Sequence, residues 1–92
     1  MSSVSIEGIQ KKLQEEGFKL TLQRQATVEI LLEHLNELLT AEEIYMYVKQ
    51  KYPDIGLATV YRTLEILTDL GIISRNLFDD GIGRYHLKQT VN

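Results

Sequence analysis

Gly56-Leu57-Ala58-Thr59-Val60-Tyr61-Arg62-Thr63-Leu64-Glu65-Ile66-Leu67 is the stretch whose reading decides the fold. Leu57, Val60, Leu64 and Leu67 recur at helical spacing and predict one apolar face of a helix over 57–70. Ala58, Thr59, Arg62 and Thr63 are assigned to the other face, with Tyr61 on the border. A helix face that only has to stay in water is usually dressed in Lys and Glu. Small residues, hydroxyls and one Arg suit a different task, fitting against base-pair edges. Thr methyls and aromatic rings can touch thymine methyls, and Arg can fork onto guanine. The stretch is therefore a candidate recognition helix.

Working outward, Asp54-Ile55-Gly56 turns the chain just before it, and Pro53 ends the preceding helix because the residue before a proline avoids the helical region. That preceding helix is expected over 41–51. Thr40-Ala41-Glu42-Glu43 is its capping box, and Ala41, Ile44, Tyr45, Val48 and Tyr52 form its apolar stripe. On the other side, Gly71 stops the opening helix. The period then changes. Residues 72–78 are rich in strand formers, and Asp79-Asp80-Gly81 is turn chemistry. Residues 83–87 alternate, with Tyr85 and Leu87 on one side and Arg84 and His86 on the other. This predicts a β-hairpin, with residues 88–92 frayed.

Nearer the N-terminus, Thr21 is a good N-cap for a second helix running to about His34, with Val28, Leu31, Leu32 and Leu35 as its apolar stripe. Arg24 lies one turn earlier on that side. Its stem can pack while its head reaches past the helix start. Residues 36–39 turn the chain. A first helix is expected over 5–16, with Ile6, Ile9 and Leu13 inward and Gly17 as its stop. Helices followed by a hairpin imply an α+β, mainly α, winged helix: the third and fourth helices form the helix-turn-helix and the hairpin is the wing. The same element order is open to an α+β domain with other packing.

The 92 residues suffice for one domain, 1–92, with one core. The chain has no Cys, which excludes a disulfide framework and a thiolate zinc site within it and fits a reducing, cytoplasmic setting. No apolar run approaches membrane-spanning length, and residues 1–9 lack the layout of a signal peptide. The net charge of −3 argues against indiscriminate nucleic-acid binding, but the acids crowd the first half. Between Ile55 and Thr68 the single acid is Glu65.

Individual residues have plain readings too. Tyr61 could be an aromatic at the core edge and Arg62 a solvated side chain. Thr59 and Thr63 could each bond their own backbone one turn back; Thr59, near the helix start, is favoured as a contact and Thr63 is left open. Lys19 and Arg24 flank the start of the second helix, where phosphate or minor-groove contact is feasible. His34 and His86 are the two histidines, and a lone His is more often a structural group than a ligand. Glu43 is accounted for by the capping box. No nucleophile–base pair, phosphate-cradling glycine loop or cofactor fingerprint is present, so no enzyme is indicated.

Three segments carry a resemblance to a known family: Leu20-Thr21-Leu22-Gln23-Arg24, Leu39-Thr40-Ala41-Glu42-Glu43-Ile44-Tyr45, and Ile55-Gly56-Leu57-Ala58-Thr59-Val60-Tyr61-Arg62-Thr63-Leu64. Together with Arg84-Tyr85 they resemble the ferric uptake regulator family of bacterial metal-responsive repressors. The resemblance implies a winged-helix DNA-binding domain, followed in the family by a metal-binding dimerisation domain that is expected to be absent from these residues. It implies a homodimer on double-stranded, A/T-rich palindromic DNA, with iron, zinc or manganese as the divalent metal of a full-length member. Tyr61 and Arg62 match its recognition-helix readers, Lys19 a residue that enters the minor groove, and Arg24 an arginine near the DNA backbone. The chain departs from the family pattern at Leu22, where a proline is common, and at Leu38, where a histidine ligand is common. His86 stands where members place a ligand at the domain junction. No cofactor is thus implied for this chain alone, with His86 a contributor only in a full-length protein. A winged-helix module for protein–protein contact is the alternative. A small metal-binding protein would need ligands the chain lacks.

Overall fold

The structure, a computed structural model, describes residues 5–88. Four helices, α1 (Ile6–Glu15), α2 (Leu22–Glu33), α3 (Ala41–Lys51) and α4 (Leu57–Asp69), precede a two-stranded antiparallel hairpin, β1 (Ile73–Leu77) and β2 (Gly83–Leu87). Residues 89–92, within the segment expected to fray, lie outside the described residues. The helix boundaries follow from local chemistry. Ser5 Oγ accepts from Gly8 N, Thr21 Oγ1 from Arg24 N at 3.2 Å, and Thr40 Oγ1 from Glu43 N at 3.1 Å. Glu43 returns a carboxylate to Thr40 N at 2.9 Å, closing the capping box. Gly17 and Gly71 follow α1 and α4 with φ of 86° and 74°, conformations that cost other residues a clash with Cβ.

The core gathers the inner faces of all elements: Ile9 and Leu13 from α1, Ala26, Val28, Ile30 and Leu31 from α2, Ile44 and Val48 from α3, Val60, Leu64 and Leu67 from α4, and Ile73, Tyr85 and Leu87 from the hairpin. α2 packs against both α3 and α4, which is why it is buried over a wider arc than the Val28, Leu31, Leu32, Leu35 stripe implies. Ala26, Thr27 and Ile30 are buried as well, whereas Leu32 and Leu35 are only partly covered.

Two assignments on α4 are corrected. Thr63 belongs to the inner face, 2% exposed, and completes the i, i+3, i+4, i+7 set of Val60, Leu64 and Leu67. Its hydroxyl donates to the Thr59 carbonyl at 2.9 Å, which satisfies it without water. Leu57 is 37% exposed, because the first turn of α4 extends beyond the core. The hairpin is slightly shorter than expected and carries Tyr85 and Leu87 inward as the alternation implies. The turn before α3 adds a contact the sequence reading lacked. Leu39 N donates to Tyr85 O at 3.1 Å and Tyr85 N donates to Leu39 O at 2.7 Å. This bridge ties the hairpin to the start of α3 and so sets the wing beside the helix-turn-helix.

Candidate nucleic-acid interface

α4 presents Ala58, Tyr61, Arg62 and Glu65 to solvent and has a bare N-terminus. Gly56 is its N-cap, no side chain accepts from its first amides, and its first turn holds no acid. The first amides of a helix have no partner within it, and aligned peptide dipoles make that end partly positive. An anion is favoured there.

The exposed ridge of α4 is flanked by two depressions. The first, about 290 Å³, is lined by Thr21, Gln23 and Arg24 of the α2 start and by Thr59, Arg62, Thr63 and Ile66 of α4. Three of the sequence-selected residues, Arg24, Thr59 and Arg62, therefore share one concavity. Arg24 is held in place: its Nη1 donates to the Lys19 carbonyl at 2.7 Å and its guanidinium lies 5.8 Å from the Phe18 ring centroid. The head does reach back past the helix start, as its position suggested. Arg62 is exposed and has no ion pair among the described residues. Lys19 is exposed on the loop beside Arg24 but lines neither depression.

The second depression, about 390 Å³, is lined by Ala41, Glu42, Tyr61, Arg75, Gly81, Ile82, Gly83 and Tyr85. Tyr61 faces this side, 38% exposed, and its hydroxyl donates to Glu42 Oε2 at 2.5 Å. That bond holds the Glu42 carboxyl below its usual range, with a backbone hydrogen bond adding to the effect. It also raises the Tyr61 phenol above its usual range. Glu42 and Arg75 were not selected from the sequence. Glu42 is nineteen positions from Tyr61, a separation that only the helix-turn-helix geometry closes. Across the wing, Arg84 is occupied: it pairs with Asp80 at 3.0 Å and lies 5.1 Å over Phe78. The Arg84 guanidinium holds the Asp80 carboxyl below its usual range.

His86 lies elsewhere, in a depression with Leu35, Asn36, Glu37, Leu38, Asn76, Leu77 and Phe78. Its neighbours there are mostly apolar, and Leu38 offers no donor. Glu37, the one carboxylate, is within 2.7 Å of His34 Nδ1. His34 also stacks on Tyr47 at 4.3 Å, the arrangement of a structural histidine. Among the described residues no three of His, Asp and Glu are grouped to hold a metal, so these side chains do not make up the site that a divalent cation would need. No helix among the described residues is long and apolar enough to cross a membrane.

Comparison with known proteins agrees with this geometry. Residues 15–92 match the model of the ferric uptake regulator family. The chain is 51% identical over 84 residues to the ferric uptake regulation protein of Bacillus subtilis, covering 91% of this chain and 56% of that protein. It is 34% identical over 91 residues to the peroxide-responsive repressor PerR of Staphylococcus aureus, covering 90% of this chain and 60% of that protein. Its backbone superposes on the ferric uptake regulator of Vibrio cholerae with a TM-score of 0.78 at 33% identity, covering 91% of this chain and 64% of that one. The chain thus spans little more than half the length of the curated relatives it matches. The winged-helix arrangement, the two-faced α4 and these matches agree: the chain belongs to the ferric uptake regulator family and corresponds to its N-terminal DNA-binding part.

Proposed function

We propose that this chain binds double-stranded DNA sequence-specifically by placing α4 in the major groove of an A/T-rich inverted repeat, as the DNA-reading part of a cytoplasmic metal-responsive repressor. Tyr61 and Arg62 read base edges. Thr59 and Arg24 contact the backbone at the α4 start, and Lys19 reaches the adjacent minor groove. The observation that carries the reading is the first depression, where Arg24, Thr59 and Arg62 converge beside a helix N-terminus left without a cap. A fork of N–H donors next to unpaired amides suits phosphate and guanine edges. The chain acts as a regulator, not as an enzyme. Two copies dock on the two half-sites, so each copy alone binds weakly and dimerisation through a further domain supplies effective concentration. The metal, whether iron, zinc or manganese, is held with ligands beyond those described here, His86 among the contributors.

The exposed apolar side chains of the hairpin, Leu77, Phe78 and Ile82, favour a second reading, a wing that contacts protein. Competition binding separates the two. An A/T-rich palindromic duplex outcompetes a scrambled duplex of equal length, and its affinity falls steeply with added salt. Equal competition by both duplexes, or no binding at low salt, favours the protein-contact reading.

A further inference from the structure

The hairpin carries two arginines in unlike circumstances. Arg84 is committed to Asp80 and Phe78 on the outer face. Arg75 is on the inner face, opposite Tyr85 in the strand register and two residues beyond Ile73. Both Ile73 and Tyr85 are buried against the helices, whereas Arg75 is where that face emerges into solvent, in the second depression with Tyr61. It has no ion pair and no side-chain hydrogen bond among the described residues. Its guanidinium occupies the space in which a Gly83 side chain would begin. A Cβ built on Gly83 would sit 2.6 Å from Arg75 Nε and 2.8 Å from Cζ and Nη2. Any other residue at position 83 would therefore lift or turn the Arg75 head. Gly83 does not need its freedom of φ, since Gly17, Gly71 and Gly81 are the glycines with positive φ. Its bare backbone is what the Arg75 position uses.

We propose that Arg75, seated on Gly83, is the wing's contact to the DNA phosphodiester backbone. It engages the strand on the opposite side of the groove from the one met by Arg24. This rests on the docking of α4 proposed above. The two depressions flank the same exposed ridge, and each holds one arginine at its far wall: Arg24 from the α2 start and Arg75 from the wing. A helix in a groove about 12 Å wide has a phosphate chain on each side. Among the described residues Arg75 is the only cation lining the second depression, and Glu42, the one carboxylate there, is turned to the Tyr61 hydroxyl. Arg84 is withheld by Asp80, so it does not serve.

The test is fluorescence anisotropy of a labelled A/T-rich inverted-repeat duplex and its scrambled counterpart, titrated with the 92-residue chain and its variants across a series of KCl concentrations. Arg75→Ala lowers the slope of log affinity against log salt by about 0.9, the value for one lost phosphate contact, and weakens both duplexes by the same factor. Arg75→Lys keeps the slope. Gly83→Ala, which displaces a flexible side-chain end and so folds, lowers the slope in the same direction, and adding it to Arg75→Ala changes nothing further. Arg84→Ala leaves the slope unchanged. An unchanged slope in Arg75→Ala, with wild-type binding still salt-dependent, overturns the proposal alone, as does a fall in Arg84→Ala in its place. Wild-type binding that shows no salt dependence overturns the docking reading and the proposal with it.

Discussion

The two helices of the helix-turn-helix begin in opposite ways. α3 opens with a closed capping box and two acids, Glu42 and Glu43, in its first turn. Its free amides and its dipole are both answered within the chain. α4 opens at Gly56 with no side-chain cap and no acid in the first turn. Ser, Thr, Asp or Asn at an N-cap is easily acquired and stabilises a helix by about 0.5–2 kcal/mol relative to Ala. The difference implies a division of labour. α3 is fastened because it only has to prop its neighbour, through Ile44 and Val48. α4 is held by its buried face, Val60, Thr63, Leu64 and Leu67, and no side chain caps its start, an end that favours an anion.

Substitutions can break this contrast from either side. Thr40→Ala removes the α3 cap and leaves the returning Glu43 carboxylate without its reciprocal bond. Stability falls by about 1 kcal/mol in urea denaturation, while the ratio of affinities for A/T-rich and scrambled duplex is unchanged. Gly56→Asp does the reverse. Position 56 has an ordinary N-cap backbone, with φ −89° and ψ 166°, and no atom within 4 Å of an added Cβ. An Asp there caps α4, so stability rises by a few tenths of a kcal/mol, yet its charge stands where the proposed docking puts a phosphate, and DNA affinity is expected to fall. Opposite signs in the two measurements are the expected outcome; a rise in both would mean that the α4 start does not face DNA.

The smallest effect expected is on pH. Glu42 is depressed below 4.5 by the Tyr61 hydroxyl, and Asp80 below 3.8 by Arg84. A depressed carboxyl contributes stability above its unfolded pKa and loses it as pH falls through the folded value. Tyr61 is raised above 10.0, so its contribution is present below that pH and lost as pH rises further. Stability from these contacts is therefore flat from about pH 5 to 9 and declines only beyond. These side chains are largely solvated, so screening keeps the decline shallow. In Glu42→Gln the part of the acid-side decline that comes from Glu42 is absent from denaturation midpoints measured between pH 3 and 7.

Much of the fold was legible because its signals are local. Thr21, Thr40, Pro53, Gly17 and Gly71 mark helix ends within one turn of themselves, and the structure places the boundaries within two residues of those marks. Thr63 fits the periodic rule for the inner face, but its hydroxyl reads as polar in the sequence; the bond to Thr59 O makes it a core residue with an internal partner. The Leu39–Tyr85 bridge, the Tyr61–Glu42 bond and the seat of Arg75 on Gly83 were not legible. Each depends on where separate elements or strands come to rest, and no spacing along the chain encodes that. Arg24 was legible in direction but not in attachment, since its partners, Lys19 O and Phe18, depend on the shape of a loop.

The central claim is that the outward face of α4 reads bases, and Arg62 is its most direct probe. The decisive measurement is the ratio of affinities for A/T-rich palindromic and scrambled duplex in wild type and in Arg62→Ala, at one fixed salt concentration. Arg62 is exposed, so the variant keeps its denaturation midpoint. The account predicts a loss of about 1–3 kcal/mol on the A/T-rich duplex, a much smaller loss on the scrambled one, and so a ratio that falls toward one. Equal losses on both duplexes, or an unchanged ratio, would contradict it.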